Sequence, residues 1–399
     1  NMLKGDDGHI YGFPNWYTND SVPTGNSGWM INTKVHKELG SPKLDTLADL
    51  ESYLRQVKAK YPNIVPLEVG AGFNGDGVML MTQLVDQPWQ VWSGLRAVVD
   101  FESKEIKPLV ADPRFKDFIL YTNKLFRDGL ITQDAFTQTS DQEAEKISNG
   151  RIAVLAGADM LNRIKLNTNL MAKEPGNSYE AIVPITKDGG DPFGVKLAQY
   201  TTLGWNVSVI TKTAKDPEKI FAFMDWATGE EGQRLFTYGP QGLYWDEVDE
   251  QGVPIPNEKF NNTPKDQRDK DGLGSLNNWA NTPVLDNYSK TREEKYIKAA
   301  ADPATPAFNR MVEIKNKYTL NVNEFEYLTP LPESEEGVIK QKIDDLYKEG
   351  FAKMVFAKSD DEVLSILTKL ISDMDKAGQE KLFDFSEKQW SKNREKLGK

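Results

Sequence analysis

The chain of 399 residues carries 49 Lys and Arg against 60 Asp and Glu, which gives a formal net charge of −11. This length is typical of two or more packed domains, and a hydrophobic content of 39% is enough for a sizeable core. Because cysteine is absent, disulfides and thiolate metal sites are excluded, and the acidic balance disfavours nucleic acid and anionic lipid as partners.

Strands alternate with helices along the first half of the chain, which predicts an α/β protein. The helix at 46–60 has Asp45 as its expected N-cap, and Gly129 ends the helix at 112–128. The predicted elements in chain order are strands at 9–14 and 29–32, helices at 34–39 and 46–60, a strand at 64–69, a helix at 112–128 and a strand at 152–155.

The second half of the chain predicts fewer strands and more helix. Strands are expected at 181–183 and 205–210, and Pro217 is expected to begin a helix that runs to about Trp226. Residues 246–290 are rich in Asp, Asn, Pro and Gly, which predicts a long irregular excursion. Residues 336–397 are almost entirely helical, with a break at which Ser359 caps the following helix.

Two short motifs fail in their sequence context. Residues 70–75 match the G-x-G-x-x-G dinucleotide fingerprint, but the loop continues beyond them and Arg96 stands where an acidic residue is expected. Residues 269–272 hint at a calcium loop, yet Gln267 and Asn278 occupy the positions of the two anchoring carboxylates. We therefore predict no cofactor, and no metal ligands, from these motifs.

The sequence contains no complete catalytic constellation. Its two histidines, His9 and His36, do not form H-E-x-x-H, and neither a G-x-S-x-G elbow nor a phosphate-binding P-loop occurs. We therefore predict that the protein is not an enzyme. Two opposed carboxylates can hydrolyse a glycoside, and the sequence alone leaves that alternative open.

Tryptophan is the most informative residue type, because several of the nine tryptophans stand beside small or polar residues in predicted loops or strand ends. An aromatic face stacks on the C–H face of a sugar ring while amides and carboxylates bind its hydroxyls. For Trp89, Trp226 and Trp390, on apparent helices, core packing is the preferred interpretation. Among the other tryptophans, stacking on a neutral polyol and ordinary core or interface packing both remain open for Trp16, Trp29, Trp205 and Trp279.

A set of weak motifs recurs in a fixed order over nearly the whole chain. Residues 8–14 are similar to "GKxYGxP", residues 29–40 to "xxYNKDxxxKxG", residues 41–50 to "PxTWDEL" and residues 238–244 to "YGxEGxxY". Further matches lie at 121–131, 150–154, 216–226 and 361–378. In this order of motifs the chain resembles the extracellular solute-binding proteins of ABC importers that bind sugars and oligosaccharides (family 1), especially the larger lipoprotein binders of Gram-positive bacteria.

The resemblance implies a two-lobed, periplasmic-binding-protein-like α/β fold with a ligand cleft between the lobes and a helical C-terminal region. In this family about half a domain, and in the precursor a lipid-modified cysteine, precede the strand that begins here at residue 9. We therefore expect the N-terminal part of lobe one to be missing. The implied lobes are residues 1–24 and 203–245 for lobe one, and 25–202 and 246–399 for lobe two, with the excursion at 246–290 and the helical tail at 336–399.

The resemblance also implies a function and a set of ligand contacts. The protein would capture a sugar or oligosaccharide outside the cell and deliver it to the membrane permease subunits, as a monomer anchored to the membrane's outer face as a lipoprotein. A glycan-active hydrolase and a peptide-binding protein of the same fold remain the alternatives. The expected contacts are Asn15, Trp16, Tyr17, Trp205 and Asn206 on the cleft floor, Phe73, Asn74, Asp76 and Asp159 from lobe two, and Trp279 from the excursion.

Overall fold

The structure is a computed structural model of the chain, and it separates into two compact units. It describes residues 2–5, 7–15, 17, 26–71, 73, 89–194, 196–204, 206–250, 252–274 and 305–399. Unit 1 comprises Asn1–Ser21 and Thr201–Asp302, and unit 2 comprises Val22–Tyr200 and Pro303–Lys399.

The described elements alternate between strand and helix up to residue 274, and three long helices close the chain. The strands are β1 (Gly12–Asn15), β2 (Gly28–Asn32), β3 (Val65–Glu68), β4 (Trp89–Trp92), β5 (Ala97–Asp100), β6 (Glu105–Pro108), β7 (Ile152–Gly157), β8 (Tyr179–Ile182), β9 (Ala198–Tyr200), β10 (Asn206–Val209), β11 (Trp245–Val248), β12 (Pro254–Pro256) and β13 (Thr319–Asn321). The helices are α1 (Thr33–Glu38), α2 (Leu47–Lys60), α3 (Pro113–Arg127), α4 (Ser140–Ser148), α5 (Met160–Lys165), α6 (Asn167–Lys173), α7 (Pro217–Thr228), α8 (Glu230–Tyr238), α9 (Glu258–Asn262), α10 (Lys265–Lys270), α11 (Thr305–Asn316), α12 (Glu335–Phe356), α13 (Asp360–Lys376) and α14 (Gln379–Leu397).

Unit 2 is built on a four-stranded mixed sheet in the order β3-β7-β2-β8. β3 runs parallel to β7, whereas β2 is antiparallel to both of its neighbours. Every residue of β2 and β7 is buried, which explains why β7 is a continuous run of apolar and small residues rather than an alternating one. A second, antiparallel sheet joins β4, β5 and β6, and β9 pairs in parallel with β13.

The C-terminal helices complete unit 2. Ser334 caps α12 and Ser359 caps α13, each by accepting a bond from a main-chain N–H in the first turn. The side-chain nitrogen of the buried Asn123 on α3 donates to the main-chain oxygens of Met354, Val355 and Ala357 at 2.7–3.0 Å. This contact satisfies carbonyls that the end of α12 would otherwise leave unpaired.

Unit 1 is organised around the antiparallel pair β1–β10 and the helices α7 and α8. Its described residues extend through 246–274, a stretch that the sequence assigned to lobe two as an irregular excursion. Instead, β11 and β12 form a hairpin, α9 and α10 follow, and the main-chain N–H of Gly274 bonds Phe236 on α8 at 2.8 Å. The main-chain N–H of Asn257 also donates to the main-chain oxygen of Tyr244 at 2.9 Å, so these contacts group the stretch with unit 1.

Three details differ from the sequence-based expectations. Thr46, not Asp45, caps α2, in a reciprocal capping box with Asp49. Trp89 lies on strand β4 and not on a helix, and the β4–β6 sheet was not predicted. Within the described ranges, no helix is both long and apolar enough to cross a membrane.

Candidate functional site

One edge of the unit 2 sheet gathers the ends of all four strands. The carboxyl ends of β3 and β7 meet there, and because β2 is antiparallel its first residue, Gly28, pairs with Gly157 at the same edge. The carboxyl end of β8 follows beside β2. Ligands of open α/β sheets bind outside the carboxyl ends of the strands, so this edge is the candidate site within unit 2.

Asp159 is exposed at this edge, immediately after β7. Its carboxylate accepts bonds from the side-chain nitrogens of Asn162 at 2.8 Å and Asn26 at 3.3 Å. Asn26 in turn caps α5, because its side-chain oxygen accepts from the main-chain N–H of Leu161 at 2.9 Å. Asp159 adopts the left-handed conformation, with φ at 58°. The result is an exposed carboxylate with amides on two sides, a donor and acceptor set suited to hydroxyl groups.

A buried carboxylate, Glu68, ends strand β3. It accepts bonds from the main-chain N–H groups of Val69 and Gly70, each at 3.0 Å, and from the Gln138 side chain at 2.7 Å. The Lys146 ammonium lies 3.5 Å from its second oxygen. Burial raises the pKa of Glu68, and the bonds from Gln138 and Gly70 together with the Lys146 charge limit that rise.

A second buried acid, Glu143 on α4, lies next to the first. Its Oε1 is 2.7 Å from Nη2 of Arg163 on α5, and its Oε2 accepts from the main-chain N–H of Ala71 at 3.1 Å. Arg163 also donates to the main-chain oxygen of Ala158. Glu143 and Lys146 are three residues apart and therefore share one face of α4.

Unit 1 contributes a different pair of strand ends. Asn15 and Asn206 are partners at the end of the β1–β10 ladder; Asn15 is fully buried and Asn206 is half-buried. Gly204 adopts φ at 96°, and a side chain there would collide with the main-chain oxygen of Asn15. Only glycine therefore allows the chain to approach Asn15 this closely. Tyr17 lies two residues beyond Asn15 and is partly exposed.

The structure separates the expected contacts into three groups. Asn15 and Asn206 are adjacent in unit 1, with Tyr17 near them in sequence, and Asp159 lies at the strand-end edge of unit 2. Phe73 is buried and packs edge-on against the Phe351 ring at 5.2 Å, which gives it a core contact. The contacts that lie outside the described residues are Trp16, Asn74, Asp76, Trp205 and Trp279.

Other residues of interest were not identified from the sequence. Glu68, Glu143, Lys146 and Arg163 lie at the strand-end edge, and the sequence signal that was available is the spacing of Glu143 and Lys146 on one helix face. Trp29, for which the sequence left a sugar contact and core packing open, is 1% exposed and belongs to the core. In the part of the chain that the structure describes, no group of three or more His, Asp or Glu residues is arranged to hold a metal ion.

The family of the chain follows from its sequence. Residues 11–234 match the profile described as "Bacterial extracellular solute-binding protein", which covers more than half of the chain. The chain belongs to this family. Members of this family bind solutes and are not named as enzymes, and one similar protein, from Bacillus subtilis, is named "Lipoprotein LipO".

Two relatives have names that refer to carbohydrate ligands. A "Carbohydrate ABC transporter substrate-binding protein" of Streptococcus pneumoniae is 25% identical over 264 residues, which covers 64% of this chain and 48% of that protein. The "Polygalacturonan/rhamnogalacturonan-binding protein YtcQ" of Bacillus subtilis is 24% identical over 278 residues, which covers 68% of this chain and 49% of that protein. The chain thus spans about half the length of these relatives.

Solved structures show the same fold. An extracellular solute-binding protein from Bifidobacterium longum subsp. infantis superposes with a TM-score of 0.67 at 15% identity, covering 98% of this chain and 78% of that one. The S. pneumoniae substrate-binding protein FusA, solved in complex with kestose, gives a TM-score of 0.65 at 18% identity, with 99% and 78% covered. These likenesses confirm the predicted α/β solute-binding fold with a helical C-terminal region.

Proposed function

We propose that the protein captures a sugar or oligosaccharide outside the cell and delivers it to the permease of an ABC importer. The observation that carries this proposal is the membership of the solute-binding family together with relatives named for carbohydrate and for polygalacturonan or rhamnogalacturonan. In this proposal the protein makes and breaks no bond in its ligand, acts as a monomer, and is held at the membrane's outer face by a lipid anchor.

The ligand contacts belong to the same proposal. In this proposal units 1 and 2 correspond to the two lobes of the family fold, and the predicted ligand contacts are assigned within each unit. We assign Asn206 and Tyr17 in unit 1, and Asp159 in unit 2, to the hydroxyl groups, because they are partly or fully exposed and polar. Trp16, Asn74, Asp76, Trp205 and Trp279 remain predicted contacts. Phe73 and Asn15 are buried, and we assign them a supporting role.

The test is a ligand screen on the purified protein. Thermal-shift measurements against kestose, oligogalacturonates, alginate oligomers and a set of short peptides should give stabilisation by at least one glycan class and by no peptide, since a ligand that binds only the folded state raises the melting temperature. Asp159→Asn should weaken that shift, whereas the same change at Asp188, an exposed residue elsewhere in unit 2, should not. Stabilisation by peptides alone, or release of shorter glycan products, would overturn the proposal.

A further inference from the structure

Two buried carboxylates accept hydrogen bonds from the main-chain N–H groups of three consecutive residues after β3. Glu68 accepts from Val69 and Gly70, and Glu143 accepts from Ala71. Each carboxylate also faces a cation: Lys146 lies 3.5 Å from Glu68 and is shared with Asp134 at 2.8 Å, and Arg163 lies 2.7 Å from Glu143. A turn of a loop whose successive N–H groups all bond charged acceptors is held in one conformation, because charge-assisted bonds are stronger than neutral ones.

Arg163 extends this arrangement from the loop after β3 to the loop after β7. Its guanidinium pairs with Glu143, which binds Ala71, and it also donates to the main-chain oxygen of Ala158. Ala158 immediately precedes Asp159, the exposed carboxylate at the edge of the sheet. One buried ion pair therefore links the backbone of the loop that follows β3 to that of the loop that follows β7.

Glycines on both loops allow the guanidinium to lie this close. A β-carbon added to Gly70 would approach Nη2 of Arg163 to 2.8 Å, and one added to Gly157 would approach Nη1 to 2.9 Å. These separations are shorter than real side-chain contacts, so a methyl group at either position would displace the guanidinium or the backbone. The fit of Arg163 against both loops therefore depends on small residues at 70 and 157.

Stability alone does not explain such a pair. The Glu143 and Arg163 side chains are only 5% and 15% exposed, and the cost of removing two charges from water offsets most of their attraction. A buried ion pair gives geometric specificity more readily than net stability, because its charges are satisfied in only one arrangement. The arrangement held here is the relative position of residues 69–71 and 157–159.

We propose that Arg163 and Glu143 are positioning residues that hold the loops at 69–71 and 157–159 of unit 2 in a fixed relative position for ligand binding. The inference rests on the proposed function for its ligand, and on the contacts above for its geometry. Neither residue needs to touch the carbohydrate. Their role is to keep the Asp159 carboxylate and the turn at 69–71 in one fixed relation before the ligand arrives, which lowers the ordering cost of binding.

A matched control exists in the same unit. Arg96 and Asp344 form an ion pair at 3.1 Å whose side chains are 7% and 14% exposed, and this pair joins the residue before β5 to α12. Arg163→Met leaves the Glu143 carboxylate without its guanidinium, whereas Asp344 keeps an ion pair with Lys340 at 2.6 Å when Arg96 is changed. Both variants should lower the melting temperature, and Arg96→Met should lower it less. The double variant Arg163→Met with Glu143→Gln removes both charges and should recover part of that loss.

Hydrogen–deuterium exchange tests the positioning without a ligand. In Arg163→Met and in the double variant, peptides that contain residues 69–71 and 157–160 should exchange about tenfold faster than in the wild type, because the two loops lose the ion pair that joins them and open more often. Arg96→Met should leave these peptides unchanged. Unchanged exchange at both loops in the Arg163 variants would overturn the inference, whatever the ligand proves to be.

Binding supplies the second measurement. With whichever of kestose, oligogalacturonate or alginate oligomer stabilises the wild type, the double variant should bind about 3- to 30-fold more weakly, the range expected for coupling through positioning groups. Arg96→Met should bind like the wild type. Equal affinities in the wild type and the double variant would overturn the inference, whereas a wild type that binds no glycan overturns the proposed function and leaves the exchange experiment to decide the positioning.

Discussion

Unit 2 contains the large buried apolar clusters of the described residues, whereas the described part of unit 1 contains a small one. Both units expose some large apolar side chains, among them Leu331 of unit 2 at 67%. Strand β7 of unit 2 has no exposed residue. On β10 of unit 1, Val207 is 46% and Val209 62% exposed, and on α7 Phe221 is 54% exposed. A two-stranded sheet with uncovered apolar residues is marginally stable by itself. We infer that the described parts of the two units contribute very unequally to resistance against unfolding.

The buried aromatic residues show the same difference. In unit 2, Phe351 stacks on Phe118 at 6.3 Å and on Tyr347 at 5.9 Å, inside one cluster that runs from the sheet to the C-terminal helices. Among the described residues of unit 1, a smaller cluster contains Tyr238, Trp245 and Val253. Buried aromatic area dominates core energetics, so substitutions of equal size should have unequal effects in the two units.

The largest effect should come from removing a core ring of unit 2. Phe351→Ala should lower the free energy of unfolding by about 3–5 kcal/mol, because it leaves a cavity among packed rings. Phe221→Ala in unit 1 makes the same chemical change at a side chain that is 54% exposed, and should cost less than about 1 kcal/mol. Urea titration of both variants measures these changes. Comparable losses of unfolding free energy in the two variants would show that the two units do not differ in this way.

The next effect concerns backbone geometry in unit 1. Gly204→Ala should cost about 2–4 kcal/mol, because alanine is strained at a positive φ and its methyl group would collide with the Asn15 carbonyl. Gly242→Ala is the control: its φ is also positive, at 85°, but the space around it is open, so about 1 kcal/mol is expected. Calorimetric melting of both variants measures the difference, and equal costs would show that the contact with Asn15 carries no energy.

The sequence predicted the fold of unit 2 well because its signals are local. The capped α3 helix, the apolar run of β7 and the Ser359 cap each depend on residues within one turn or strand, and the structure contains all three. The resemblance placed residues 246–290 in lobe two and their composition predicted an irregular excursion, whereas the described part of that stretch groups with unit 1 and contains a hairpin and two helices. A long-range bond, from the main-chain N–H of Gly274 to the main-chain oxygen of Phe236, joins that stretch to α8, and composition does not reveal such a contact.

The site was predictable only in part, for a related reason. Asp159 could be anticipated because it follows a buried strand, whose end lies at the sheet edge. Glu143 and Arg163 could not, since their importance comes from meeting each other and Ala71 across three different segments. The resemblance placed Phe73 near the ligand, and the small neighbour of Trp29 left a ligand contact open for it, but neither signal determines whether a ring points into the core.

The free energy of unfolding should depend on pH in the alkaline range, because unit 2 contains a buried lysine. Burial lowers the pKa of Lys315 from its ordinary 10.5 to about 8. Between these values the unfolded chain binds more protons than the folded one, so the free energy of unfolding rises with pH. From about pH 8 to about pH 9.5 the gain should be about 1–2 kcal/mol.

Variants at two lysines test this dependence. Lys315→Met should remove the rise, and Lys317→Met, at a side chain that is 52% exposed, should retain it. The measurement should stop below pH 10, because burial raises the pKa of Tyr53, Tyr121 and Tyr318 and their ionisation then opposes folding. Unfolding free energies that stay flat in the wild type over this range would contradict the prediction.

The smallest effect on the free energy of unfolding is expected on strand β10 of unit 1, where Val207 and Val209 are exposed. Val209→Thr replaces one methyl group by a hydroxyl on a side chain that is 62% exposed, so the free energy of unfolding should change by no more than about 0.5 kcal/mol. The same change at Val154 on β7, which is fully buried, places a hydroxyl in an apolar core and should cost about 1–3 kcal/mol. Chemical denaturation of the two variants compares them directly. A loss above about 1 kcal/mol for Val209→Thr would mean that the Val209 side chain is covered in the folded protein. The two units would then differ only in the size of their buried cores.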